Sequence, residues 1–181
     1  MKHAFLSSVI ASMIWSYSFA AQGEIGVPKD IIASVLTKAD CDTTDDQASE
    51  DSKTYELGES VKIVVLPCFI GAYQTSSIIL QVDSRNLQQA RLLELQNWEQ
   101  INDNSGRWNR TTLFFNVDFD SVNKRLLTHQ MGRGMDDCGT AGQYAWKGGE
   151  FKLTAYWVKM KCDGKPFTTG GSKWRVKLPP S

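Results

Sequence analysis

The stretch that decides the fold is Tyr144-Ala-Trp146-Lys-Gly148-Gly149-Glu150-Phe151-Lys-Leu153. Paired glycines between alternating residues signal a two-residue β-hairpin turn, whose central positions favour positive φ. With Gly148-Gly149 as the turn, Lys147 faces Glu150, Trp146 faces Phe151 and Tyr144 faces Leu153. The first pair is oppositely charged; the other two are apolar and share one face. Extending this register sets Cys138 opposite Lys159, three residues short of Cys162. A Cys138–Cys162 bridge therefore needs a loop or bulge, which Gly139 and Gly142 are suited to supply.

Working outward, residues 111–119 and 122–131 ("VNKRLLTHQM") alternate as further strands, and "INDNSGR" at 101–107 is a turn-rich loop. Residues 61–66 ("VKIVVL") form a β-branched strand stopped by Pro67, and residues 77–82 a second. Residues 87–98 are ambiguous: their Gln, Arg, Leu and Glu content favours a helix, whereas their neighbours suggest a strand of a meander. "PKDIIASVLTKA" at 28–39 predicts a short helix with Pro28 near its first turn and Ile31, Ile32, Val35 and Leu36 facing the core. The polar, acidic residues 40–53 read as a mobile loop. The expectation is a mainly β, or α+β, single domain: an antiparallel meander with a C-terminal hairpin, a short N-terminal helix and two disulfides.

Lys2 and His3 precede an apolar core over residues 4–15, and Ser18-Phe19-Ala20 offers small residues for cleavage. This predicts a signal peptide over residues 1–20, cut after Ala20, and a periplasmic or secreted domain over 21–181. The four cysteines then read as disulfides of an oxidising compartment. Each of the pairs Cys41–Cys68 and Cys138–Cys162 brackets one local segment, and these are the expected bridges.

The 181-residue chain carries 20 basic and 20 acidic residues. That balance argues against a general nucleic-acid binder, which needs a basic footprint. The charge is unevenly placed, acidic from Asp40 to Glu59 and basic from Lys147 to Lys177. Solvated faces explain this; an oriented docking surface is the sharper alternative.

No catalytic constellation is complete. His129 is the sole histidine after the leader, in an alternating segment, and no G-x-S-x-G, phosphate-loop or EF-hand spacing occurs. No metal or cofactor is expected. Asp136-Asp137 offers one half of a carboxylate pair, and Asn109-Arg110-Thr111 matches a glycosylation acceptor, a short and common pattern.

Two longer motifs, Leu66-Pro67-Cys68-Phe69-Ile70-Gly71-Ala72-Tyr73-Gln74-Thr75-Ser76-Ser77 and Gly132-Arg-Gly-Met-Asp-Asp-Cys138-Gly139, are specific in combination. With the 144–153 hairpin and Cys162 they resemble the bacterial secreted family catalogued as domain of unknown function 1176, over about residues 28–164. Asp136 departs from the family pattern, which has Gly before Asp-Cys-Gly. The resemblance implies export and brings no catalytic residues. The functional expectation is a non-enzymatic binding module for a protein or cell-envelope component, inhibitor- or immunity-like. Its contacts are Tyr73, Ser76, Ser77, Arg133, Asp136 and Asp137, on the 67–77 and 132–142 loops. The alternative is an envelope hydrolase using the Asp136-Asp137 carboxylates.

Overall fold

A computed structural model describes residues 26–102 and 105–179. The expected signal peptide lies outside the described residues, and the described residues form layers of antiparallel sheet with two short helices. Helices α1 (Lys29–Lys38) and α2 (Asp45–Glu50) cover a first sheet of β1 (Lys53–Glu56), β2 (Val61–Ile70), β3 (Thr75–Asp83) and β4 (Asn86–Leu92). The short β7 (Leu113–Phe115) joins this sheet along β3. A second sheet runs β11 (Glu150–Lys159), β10 (Gly139–Lys147), β9 (Arg125–Met131), β8 (Asp118–Asp120). Between them in sequence, β5 (Leu95–Asn102) and β6 (Ser105–Thr111) pair as a separate ribbon. The meander is thus divided among three sheets.

Strand β2 shows why its sequence is continuously apolar. Ile63 and Val65 face the core shared with the second sheet, alongside Phe119, Leu126, Tyr144 and Phe151. Val64, Leu66 and Cys68 face the core beneath the helices, alongside Ile32, Leu36 and Ala48. A strand buried on both faces needs no polar alternation. The helix residues behave as expected: Ile32 and Leu36 are buried, and Ile31 and Val35 pack partly buried against them. The outer face of the second sheet is covered by the C-terminal segment, where Phe167 and Trp174 pack on Ala141, Ala155 and Trp157.

Several local expectations are corrected. Pro67 does not stop β2, which continues to Ile70 through a register shift between Pro67 and Phe69. Proline is tolerated there because β1 ends opposite Val65, so its missing N–H breaks no ladder on that side. Beyond β1, the same edge is covered by residues 42–43: the Asp42 and Thr43 N–H groups and the Thr43 hydroxyl all donate to the Cys68 carbonyl. The stretch 40–53 is not simply a loop. It contains α2, whose first turn is capped by Thr44 accepting from the Gln47 N–H and carries Asp45 and Asp46 at its positive end. Residues 87–98 fall in two strands, β4 and β5, with a corner at Leu93 and Glu94, because cross-strand pairing with β3 and β6 overrides helix propensity. Of the 101–107 stretch, expected as a loop, Ile101 and Asn102 belong to β5 and Ser105, Gly106 and Arg107 to β6.

The C-terminal hairpin keeps the expected pairs, Lys147 with Glu150, Trp146 with Phe151 and Tyr144 with Leu153. A bulge between Gln143 and Tyr144 then moves the register by one, so Gly139 rather than Cys138 faces Lys159. The Thr154 hydroxyl donates to the Gln143 carbonyl at 3.0 Å and settles the extra residue there.

Candidate functional site

Three segments meet at one end of the two sheets: the β2–β3 turn, the β9–β10 loop and the chain leaving β11. The Gly71 N–H donates to the Gln74 carbonyl at 3.1 Å and closes the first turn. The Gln74 side-chain oxygen accepts from the Met131 N–H at 3.0 Å, tying that turn to β9. Asn116 braces the same junction, accepting from the Thr75 N–H at 3.4 Å and donating to the His129 carbonyl at 2.9 Å. Tyr73 lies over Gly134, where a β-carbon would sit 3.6 Å from the ring.

The β9–β10 loop is pinned covalently and ionically. Cys138–Cys162 and Cys41–Cys68 are both formed. Arg133 grips Asp137 through two parallel bonds, Nε to Oδ1 at 2.7 Å and Nη2 to Oδ2 at 2.5 Å. Asp137 Oδ2 also accepts from the Gly164 N–H at 2.6 Å, and Arg133 reaches the Cys162 carbonyl at 3.4 Å. The Arg133 guanidinium and then the Gly164 N–H hold the Asp137 carboxyl well below the usual carboxylate range, against the opposing effect of its burial. One residue earlier, Asp136 Oδ1 lies 2.7 Å from His129 Nε2, and the imidazole packs on Phe167. Asp136 adopts a left-handed φ of 50°, a conformation that aspartate tolerates better than most residues. The tight turn therefore forms without glycine at that position. Gly139 is where glycine is required: its φ is 145°, and a β-carbon would fall 2.0 Å from the Gln130 carbonyl oxygen.

The expected contacts divide sharply. Tyr73, Arg133 and Asp136 come together on this end, with Tyr73 50% exposed. Ser76 and Ser77 are buried in β3, because β3 starts at Thr75 and pairs on both edges there, with β2 and β7. Both therefore sit in a strand rather than on the expected loop, and Ser77 lines the cavity beside Ile70. Asp137 is also buried, as the anchor of the loop. Two residues that the sequence reading passed over complete the surface, Ile70 at 55% and Met135 at 67% exposure. Their signal was an apolar residue placed beside a glycine turn, where none is needed for packing. Beside Ile70 opens a cavity of about 520 Å³, walled by Val65, Pro67, Thr75, Ser77, Asn116 and Val117, with Asp51 and Lys53 also lining it.

Asp137 lies close to both sulfurs of Cys138–Cys162. The disulfide and the Arg133 ion pair account for that proximity, since neither sulfur is a free thiolate ligand. Asn109, in the glycosylation-like tripeptide, is half-buried in β6 opposite Asn97.

The profile of the family described as "Protein of unknown function (DUF1176)" matches residues 22–177. The chain belongs to DUF1176. A relative, the uncharacterized protein YpfG of Escherichia coli (strain K12), is 26% identical over 107 residues. That match spans 59% of this chain and 30% of the relative's length. No solved structure matches. DUF1176 membership carries no assigned activity, so the chemistry rests on the side chains themselves. Among the described residues, no helix is long and apolar enough to cross a membrane.

Proposed function

We propose that this DUF1176 chain is an exported, non-enzymatic binding module that recognises a protein or envelope component in the manner of an inhibitor or immunity factor. The observation that carries this reading is the end surface itself. Ile70, Tyr73 and Met135 are exposed on turns that a disulfide, a bidentate ion pair and side-chain-to-backbone hydrogen bonds hold in place. Exposed apolar and aromatic anchors on a pre-ordered loop lose little entropy on binding, and aromatic side chains dominate binding energy in interfaces. Two disulfides support export, because thiols stay reduced in most cytosols.

The hydrolase alternative has less support. Asp137 is buried and stays ionised beside Arg133, so it offers neither a proton to donate nor a free lone pair aimed at a substrate. The test is affinity capture from envelope extract with immobilised wild-type protein and a Tyr73→Ala/Met135→Ala variant. A specific partner retained by the wild type should be lost by the variant while its unfolding curve stays unchanged. Equal retention by both would remove this surface from recognition.

A further inference from the structure

Away from that end, a groove of about 660 Å³ runs between the β4–β5 corner and the turn end of the β10–β11 hairpin. It shares no lining residue with the cavity beside Ile70. Its volume lies within the range of small-molecule sites. The inner lining is apolar: Leu93, Leu95, Tyr144 and Phe151 are buried, and Leu153 is half-buried. Leu178 and Pro179 add a further apolar wall from the C-terminal segment.

The outer lining is charged, and the charges do not cancel. Glu94 is paired with Arg110 at 3.1 Å and Glu150 with Lys152 at 3.2 Å. Arg91 bonds only the neutral amide oxygen of Gln81, at 2.9 Å, and has no carboxylate partner among the described residues. Among the lining residues three cations, Arg91, Arg110 and Lys152, stand against two carboxylates, Glu94 and Glu150.

An apolar trough with an uncompensated guanidinium at its mouth suits a molecule of matching polarity. We propose that the groove binds a single-chain anionic amphiphile, its acyl chain laid over Leu93, Leu95 and Leu153 and its anionic head on Arg91. An arginine at the mouth suits either a carboxylate or a phosphodiester head, through two parallel N–H donors. The uncharged analogue would leave that guanidinium without a partner and lose the electrostatic part of the binding.

The experiment titrates the full chain by calorimetry with myristate, lysophosphatidylglycerol and uncharged monomyristoylglycerol, all below their micelle concentrations. Saturable binding of at least one anionic probe at one per chain is expected, with monomyristoylglycerol weaker by about tenfold. Whichever anionic probe binds more tightly identifies the head as carboxylate or phosphodiester. Arg91→Glu, on an exposed strand edge, should weaken the anionic probe by about tenfold while leaving the urea midpoint in place. Leu153→Glu should abolish binding of the chain, and Tyr73→Ala should leave it unchanged. The proposal is overturned by no saturable binding of either anionic probe, by Arg91→Glu binding as the wild type does, or by equal binding of the uncharged probe. Loss of binding in Tyr73→Ala would also overturn it, because the groove would then not be separate from the recognition surface.

Discussion

Replacing Cys138 and Cys162 by alanine tests the central claim about the loop, namely that a covalent tie holds it. The two residues are 24 apart in sequence, and closing a loop of that size removes conformational freedom chiefly from the unfolded chain. The chain-entropy relation gives about 3.5 kcal/mol for this length. In the folded state, the contacts that cross the same junction do not need the sulfurs. Arg133 still grips Asp137, the Gly164 N–H still reaches that carboxylate, and the Phe167 N–H still donates to the Asp136 carbonyl at 3.1 Å. The variant should therefore keep native sheet content and lose stability almost entirely through the unfolded state.

Urea unfolding followed by tryptophan fluorescence measures this directly. A domain with about 5–15 kcal/mol of stability survives the loss, and its midpoint falls by about 1–3 M. Reduced wild type should be less stable than the variant, because reduction breaks Cys41–Cys68 as well. A loss below about 1 kcal/mol, or a variant without native sheet, would refute the reasoning: in the first case the unfolded chain is already constrained, in the second the bond shapes the fold itself. Removing Cys41–Cys68, 27 apart, should weaken the protein more than this, since Cys68 is fully buried beneath the helices and its carbonyl accepts three hydrogen bonds.

Two other tests bear on the same loop and hairpin. Gly139→Ala should destabilise by more than about 2 kcal/mol, because its φ of 145° and the close Gln130 carbonyl leave no room for a β-carbon; Gly148→Ala, at φ 60° in open space, should lose only about 1 kcal/mol. Comparable melting temperatures for the two variants would contradict that ordering. The Asp137 carboxyl is depressed in the folded state, so its contribution is present above the unfolded value of about 3.9 and fades as pH falls below it. The stability gap between wild type and Asp137→Asn should therefore be widest at neutral pH and shrink toward pH 2.5 in urea titrations, whereas a gap that grew on acidification would reverse the sign and discard the ion pair as its source.

Much of this architecture was legible in the sequence because certain segments carry redundant signals. In residues 144–153 the turn glycines, the Lys147–Glu150 charges and the alternating aromatics all require one register, and that register is observed. The cysteine pairs were legible for a similar reason, each closing a segment between neighbouring elements. What was hidden depended on partners outside the stretch being read. Residues 87–98 have helical propensities, yet Leu80 pairs with Leu92 and Trp98 with Trp108, and both partners lie outside that stretch. The bulge beside Tyr144 turns on one threonine hydroxyl across the hairpin. At the candidate site, Arg133 and Tyr73 were visible as polar and aromatic residues in glycine-rich loops. Ser76 and Ser77 lie in β3 rather than on the expected loop, because pairing on both edges extends the strand there, which composition does not reveal.

The acidic pair in the loop is best understood through what each carboxylate already does. Asp137 has its two oxygens committed to Arg133 and the Gly164 N–H, and Asp136 has one oxygen on His129 while its carbonyl accepts from Phe167. Both residues thereby fasten the β9–β10 loop to the segment after β11. That segment is itself fastened by Lys159, a buried lysine whose ammonium reaches Asp163 at 2.6 Å. A carboxylate used in this way sets geometry and excludes motion, whereas acid–base catalysis requires a group free to exchange its proton with substrate. The three exposed apolar residues stand on top of this fastened base, and their exposure is not relieved by any burial within the described fold. A rigid base that presents unburied apolar groups lowers the entropic penalty of association, and this is the physical basis of the recognition role proposed for this end of the molecule.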